Sequence, residues 1–505
     1  MSTDSQKPAI VPKQYLLAFI LTTCCFSLWG FANDFTNPLV KVYESVFIIP
    51  TSDASWLQFG FYFGYFCMAL PAVFFIRRFS YKAAIILGLF IYTIGCLIAY
   101  PASKNLSFPL LVLGSYIIPC GLAFLETACN PYILAMGDPR TATQRLNLAQ
   151  AFNPIGCLTG MAIVTFVVAD NLQTSKFSEG LAADDPQSTQ YLFTSESELP
   201  EGASVIQEVS TGKDGIQTDG IIDLGGGVEV PLYASRPKIS EEPANKRADF
   251  TAPALKGLSA KNPEGFKEIQ TEDLSTIRGV YLVLAVVIFG FFLIFIFSKL
   301  PVLKDEESDA PFLSVTSRIF KRPKFALGVA AQGFYVAAQI MCWTFIIHYG
   351  VNEVGLTLKE AQLGNMCGSM ALFLSFRFIC TYLLRTISAG KLLFVFALGG
   401  LIFTIGAIYL PDYAGLISLV LVSACMSLMF PTIYGIALGG MKQEEAKLGS
   451  AFLIMSIVGG AFGAKLQGSV IDATSVRTSF WLVTICFIYI AFYGYRTFSK
   501  FEKEA

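Results

Sequence analysis

The chain has 505 residues, of which 54% are apolar and 14% charged, and its formal net charge is −1. So apolar a composition excludes an ordinary soluble domain, and the near-zero charge offers no electrostatic footprint for nucleic acid. Runs of about 20 apolar residues, the length a helix needs to cross a hydrocarbon core, recur along the whole chain, so an all-α membrane protein is expected.

Twelve transmembrane helices are predicted, near 14–43, 54–76, 82–101, 108–137, 146–169, 277–299, 325–350, 360–384, 390–410, 412–440, 449–471 and 477–497. The first is too long for a signal-peptide core and has no small-residue cleavage pattern, so it is expected to stay in the mature protein. It carries "LWGFANDFTNPL", in which Asn33, Asp34 and Asn37 fall within about one turn. The spacing stacks Asp34 and Asn37 on one face. Pro38 then perturbs the helix, and Asp34 is either a group facing a cavity or a wet helix end.

Span 4 ends in "GLAFLETACNPYILAMG". A charge at the depth of Glu126 costs about 2.5–3.5 kcal/mol on insertion scales, so the side chain should face a cavity or a partner. Pro131 lacks an N–H and crowds the carbonyl of Thr127, which predicts a kink beside Glu126. The alternative is a structural Glu126, protonated and bonded to a neighbour. Span 5 opens with "RLNLAQAFNPIG", where Asn147, Gln150 and Asn153 recur every third residue and share a face. Amides both donate and accept, as sugar hydroxyls do; helix-to-helix bonding is their competing role.

Between Asp170 and Ile277 the chain turns polar, with roughly twice as many acids as bases and no cysteine. A partly ordered surface insertion without a core of its own is expected, with a short β element in "GIIDLGGGVEVPLYA"; a lid over an entrance is the alternative. Basic residues fall in alternating intervals: Arg77, Arg78 and Lys82, then Arg140 and Arg145, then Lys304, Arg318, Lys321, Arg322 and Lys324. The positive-inside rule puts these and both termini in the cytoplasm and the insertion outside.

Span 7 reads "AAQGFYVAAQIMCWTFIIHYG" and supplies Gln332, Tyr335, Gln339 and Trp343 for an opposite wall. An aromatic face suits the C–H patch of a sugar and amides suit its hydroxyls. His348, the only histidine, lies near the end of that span and is not placed for a relay. Lys465 is a further intramembrane charge that either pairs with an acid or snorkels outward. All twelve cysteines lie in apolar runs without a CxxC pair, as small packing residues do.

The second half repeats the first. "FIRRFSYKAAI" after span 2 matches "LLRTISAGKLL" after span 8, "NPYILAMG" matches "FPTIYGIALGG", and "QAFNPIGCLTG" matches "AFLIMSIVGGAFG". Two pseudo-symmetric six-helix bundles around a central cavity are the major facilitator fold. The expected organisation is an N-terminal bundle over 1–170 with helices 1–5, an extracytoplasmic insertion at 171–276 and helix 6 at 277–299. A cytoplasmic linker at 300–324 and a C-terminal bundle over 325–505 follow. Glu126 falls opposite about Met426 in this repeat, so the carboxylate is not needed to build a bundle.

"LWGFANDFTN", "GFYFGYFCMALPA", "RRFSYKAAI", "GLAFLETACNPYI" and "RLNLAQAFNPIG" resemble the signatures of the L-fucose:proton symporter family of the major facilitator superfamily. Weaker matches continue through "AQGFYVAAQIMCW" and "SLMFPTIYG", and the insertion is left uncovered. The resemblance implies import of a monosaccharide, L-fucose or a related hexose such as glucose, galactose or N-acetylglucosamine, by proton symport. It also implies that Glu126 of the LETAxNP motif is the coupling carboxylate, joined by a first-helix acid. Where the family carries that aspartate this chain has Asn37, with Asp34 one turn earlier. Substrate-binding candidates are Asn33, Asn37, Asn130, Gln150, Asn153, Tyr335, Gln339 and Trp343. No metal-binding cluster, nucleophile–base pair or phosphate loop marks the spans, so neither an enzyme nor a cofactor is expected. The expected setting is a bacterial inner (plasma) membrane, spanned many times by a monomer whose partners are the lipid bilayer and the sugar. Sodium coupling and a transporter-like nutrient receptor are the rival readings.

Overall fold

The computed structural model describes residues 9–138, 142–211, 217–225, 227–301, 312–384, 386–441 and 443–501. Twelve of its helical segments are long and apolar enough to cross a membrane. They are Lys13–Thr36, Thr51–Arg78, Tyr81–Lys104, Phe108–Leu134, Leu148–Asn171, Pro263–Phe297, Pro323–Val354, Leu358–Cys380, Ala389–Tyr409, Asp412–Leu438, Leu448–Ala473 and Val476–Lys500, numbered here spans 1–12. Each expected span has a counterpart, but the first ends at Thr36 rather than near 43, and the helix of span 6 begins at Pro263, inside the stretch assigned to the insertion.

The internal repeat is visible in which helices pack together. Spans 1 and 5, 2 and 4, 3 and 4, and 3 and 6 pack in the first bundle; spans 7 and 11, 8 and 10, 9 and 10, and 9 and 12 pack in the second. Small residues make the closest approaches. A Cβ on Gly156 would lie 1.9 Å from the carbonyl oxygen of Ser27, and one on Gly459 would lie 2.0 Å from that of Gly333. Without a solvent-driven force between helices in lipid, such close backbone approach is what holds them together.

Several spans are broken where they meet the centre. The first helix stops at Thr36, turns through Asn37 and Pro38, and resumes over Leu39–Phe47. Span 5 is interrupted between Gln150 and Asn153, where Pro154 restarts the helix, and span 11 tightens to a 3-10 turn over Ser456–Val458. Span 4 runs unbroken through Pro131 to Leu134. Its counterpart, span 10, breaks between Met426 and Met429.

The insertion has cores of its own, contrary to expectation. Three antiparallel strands, β1 (Ser204–Thr211), β2 (Gln217–Asp223) and β3 (Glu229–Tyr233), pair in chain order, and the last two cover the alternating "GIIDLGGGVEVPLYA". Phe193, Ile222, Val230 and Leu232 pack on the sheet, while Leu181, Leu192, Tyr233, Ile239, Phe250 and Ala254 form a second cluster. These residues are too dispersed in sequence to register as a core, but strand alternation puts them on shared faces. The neck is stapled by Asp273, whose carboxylate accepts from Gln173 N at 2.5 Å, Thr174 N at 3.1 Å and Thr174 Oγ1 at 2.6 Å. The insertion leans on both bundles. Gln270 Nε2 donates to the carbonyl of Val46 at 2.7 Å, and the short helix Ala244–Arg247 abuts Gly355, which has φ +81°.

At the opposite end, Arg145 is buried rather than free. It donates to the carbonyls of Ile133 at 3.0 Å and Leu134 at 2.8 Å, capping the end of span 4. Arg140 and Lys304 lie outside the described residues.

Candidate functional site

Where the bundles meet, two cavities lie one above the other. The central one has a volume of about 190 Å³ and is lined by Asn33, Asp34, Asn37, Glu126, Asn153, Tyr335, Gln339 and Trp343, among others. Eight of the ten coupling and substrate-binding candidates therefore meet at one place. The other two, Asn130 and Gln150, line a second cavity of about 400 Å³ toward the end of the molecule away from the insertion. Glu126 and Phe430 are the residues common to both linings.

The first bundle supplies both acids. Asp34 is 2% exposed and accepts from Asn37 Nδ2 at 3.2 Å, so it is a buried wall group rather than a wet helix end. Asn37 Oδ1 in turn accepts from Gln58 Nε2 at 3.1 Å and Thr344 Oγ1 at 3.5 Å, joining spans 2 and 7 to the break in the first helix. Glu126 is half-buried, and its carboxylate makes no hydrogen bond or ion pair among the described residues. Its backbone carbonyl accepts from Asn130 Nδ2 at 3.0 Å, and Asn130 Oδ1 accepts from Gln150 Nε2 at 3.2 Å. Two buried polar atoms of lining residues, Asn33 Oδ1 and Tyr335 Oη, have no hydrogen-bond partner among the described residues. Asn153 lines the cavity, and its Nδ2 donates to the Phe26 carbonyl at 3.2 Å, a helix-to-helix bond.

The second bundle supplies the aromatic wall. Trp343 Nε1 donates to Ser423 Oγ at 3.2 Å, which fixes the indole, and the Phe373 ring meets it edge-on with centroids 5.0 Å apart. Gln332 does not join this wall; it is buried, and both of its side-chain polar atoms lack partners among the described residues. The side chain of Asn147 lies outside the described residues. Sequence reasoning missed Arg377, Phe373 and Phe430. Arg377, in the apolar run "FLSFRFIC" of span 8, carried a usable signal, since a lone charge in a membrane helix marks a cavity. The two phenylalanines carried none.

The insertion end of the cavity is shut by polar contacts between bundles. Glu44 Oε2 lies 2.9 Å from His348 Nε2 and accepts from Thr51 Oγ1 at 3.0 Å. Lys465 resolves toward pairing: its Nζ donates to the Ser52 carbonyl and sits 3.9 Å from Asp53. Lys359 forms a 2.8 Å ion pair with Asp170. Away from the insertion the bundles part around the larger cavity, and Phe430, with its ring against Tyr335 and Tyr434, separates it from the central one.

Residues 17–174 match the Major Facilitator Superfamily. The chain is 40% identical to the L-fucose-proton symporter of Haemophilus influenzae, over 96% of this chain and 98% of that one. It is 26% identical to a glucose/galactose transporter of Brucella abortus, over 95% and 94%. A crystal structure of the Escherichia coli fucose:proton symporter superposes with a TM-score of 0.62 at 26% identity, covering 96% of this chain and 99% of that one.

Proposed function

Since the chain belongs to the L-fucose:proton symporter family of the major facilitator superfamily, whose relatives here are transporters and not enzymes, we propose that it imports a monosaccharide together with a proton by alternating access. L-Fucose or a related hexose is the substrate class. The observation that carries this reading is the composition of the central cavity: two carboxylates and amides on one wall, a fixed indole and a glutamine on the other. Amides and carboxylates bind hydroxyls, and an indole face takes the C–H patch of a pyranose.

Glu126 is the coupling group in this reading. It stands where the two cavities adjoin, so a proton on it reaches the inner side when the partition opens. Protonation removes the penalty of occluding a bare charge, so the loaded carrier can close and turn over. The insertion is extracytoplasmic and both termini are cytoplasmic, in a bacterial inner membrane, because Arg77, Arg78, Lys82, Arg318, Lys321, Arg322 and Lys324 cluster at the other end. The form described is then closed to the outside. One chain holds both walls of the cavity, which makes a monomer sufficient.

The test is uptake of labelled L-fucose, glucose, galactose and N-acetylglucosamine into proteoliposomes under an imposed proton or sodium gradient. Accumulation of one sugar under the proton gradient supports the reading, accumulation under sodium alone replaces the ion, and no accumulation of any sugar rejects it. In Glu126→Gln, exchange of sugar across the membrane should persist while accumulation is lost; accumulation at the wild-type level removes Glu126 from coupling.

A further inference from the structure

Span 8 brings one charge to the central cavity. Arg377 lines it from the second bundle, half-buried, with its guanidinium carbon 5.0 Å from the centre of the Phe373 ring. The facing wall carries Asp34 and Glu126, and the titratable groups completing the lining are Tyr62, Tyr65, Cys157 and Tyr335. A guanidinium keeps its proton in any protein setting, so Arg377 adds a fixed positive charge. A buried carboxylate without a counter-charge is strongly disfavoured, and two without one are more so. With one guanidinium present, a single carboxylate stays ionised in a cavity of zero net charge. The second must be neutral before that cavity is sealed.

We propose that Arg377 is the fixed counter-charge of the cavity: it keeps Asp34 ionised and leaves Glu126 as the one group that must take up a proton for each sugar carried. The proposal rests on the proton-symport reading above and adds the stoichiometry. Asp34 is the natural partner because it already holds one donor, Asn37 Nδ2, and a hydrogen bond donated to a carboxylate favours its ionised form. Glu126, at the junction of the two cavities, is the acid with a route for proton exchange. Arg377 is thus a positioning residue, acting on substrate movement through the carboxylates. The alternative is that Arg377 only packs on Phe373 and snorkels toward the membrane surface.

The full chain in proteoliposomes separates these roles through the proton-to-sugar ratio, obtained by balancing the sugar gradient against an imposed proton gradient. The wild type and Arg377→Lys should carry one proton per sugar. Arg377→Gln should need two, or keep counterflow while losing accumulation, because Asp34 must now be neutralised as well. Adding Asp34→Asn to Arg377→Gln should bring the ratio back to one. A wild-type ratio and wild-type accumulation in Arg377→Gln overturn the proposal. If Arg377→Gln lacks counterflow altogether, Asp34→Asn alone carries the test. Its cavity is neutral with Glu126 ionised, so it should exchange sugar without accumulating it, and coupled accumulation at the wild-type ratio overturns the proposal. If the wild type accumulates no sugar, the sugar reading has failed, and the charge balance is read without sugar. Trp29 and Trp343 line the cavity, and the midpoint of their pH-dependent fluorescence should move upward by about one pH unit or more in Arg377→Gln. An unmoved midpoint overturns it.

Discussion

Asp472 on span 11 accepts the backbone amide of Thr51 at 2.9 Å and that of Ser52 at 2.7 Å, so the start of span 2 is capped by the opposite bundle. The first amides of a helix have no partner within it, and a carboxylate there also meets the positive end of the helix dipole. Lys465 Nζ sits 4.6 Å from the Trp56 ring centre in the same clasp. These bonds exist only while the insertion end is closed. Hydrogen bonds to a charged group contribute about 1.5–3 kcal/mol each, and every 1.4 kcal/mol is tenfold in population. Asp472→Ala should therefore favour the form open at the insertion end by about tenfold or more. Labelling of Ser55→Cys, buried behind the clasp, by an impermeant maleimide should quicken accordingly; an unchanged rate shows that other contacts hold this end shut.

Phe430 stands between the two cavities with its ring 6.1 Å from that of Tyr335 and 6.3 Å from that of Tyr434. Its truncation joins the central site to the lower cavity without a change of conformation. Phe430→Ala should raise passive proton entry into proteoliposomes and lower the sugar gradient sustained by a given proton gradient. Retained steady-state accumulation would place the barrier elsewhere.

Much of this architecture was legible in the sequence because lipid leaves few solutions: apolar length gives the spans, and an intramembrane acid marks the cavity. Asp34, Glu126 and Asn153 were found by such rules. Phe430 was not, since a phenylalanine in an apolar run gives no sign of whether it faces lipid, a helix or a cavity. Asn130 and Gln150 share motifs with the central residues yet line the lower cavity: Asn130 lies one turn beyond Glu126 on span 4, and span 5 breaks between Gln150 and Asn153. The insertion core depends on contacts between residues far apart in sequence, such as Leu181 with Phe250, which local pattern does not report.

The glycine contacts between spans 1 and 5 predict unequal effects from one added methyl group. Gly156→Ala drives a Cβ into the Ser27 backbone, whereas a Cβ on Gly279 in span 6 meets nothing within 4 Å. Overpacking of this kind costs about 1–3 kcal/mol, while glycine to alanine at an open helical site gains about 0.5–1 kcal/mol. Thermal unfolding in detergent should fall for Gly156→Ala and hold or rise for Gly279→Ala. Equal midpoints would mean that the spans separate at little cost.

Within the insertion, Asp184 Oδ1 accepts from Ile239 N at 2.6 Å and from Ser240 N at 3.2 Å. Partial desolvation pushes its carboxyl upward, but the Ser240 and Ile239 bonds and the Lys238 charge outweigh this and hold it below the ordinary carboxylate range. A group lowered by folding stabilises the fold above its unfolded value, near 3.9, and that contribution is lost as pH falls through the lowered value. Asp184→Asn should loosen the 239–241 turn at neutral pH and have little effect in strong acid. Hydrogen exchange of the Ser240 amide at both pH values checks this; an equal effect at both would point to shape rather than charge.

The stapled neck makes the insertion separable from transport. Asp273 holds the amides of Gln173 and Thr174, so the chain leaves and returns to the bundle at one point, and a short flexible linker can close the gap. What the insertion adds is contact with the second bundle, through Ala244 to Gly355. Opening of that end must break or shift that contact. Replacing residues 176–268 with a Gly/Ser linker should keep the carrier folded and coupled, and should raise the share of molecules open at the insertion end. Coupled uptake together with faster maleimide labelling at Ser55→Cys supports a brace; uptake lost from a folded, membrane-inserted deletion would instead make the insertion part of the transport machinery or of a receptor.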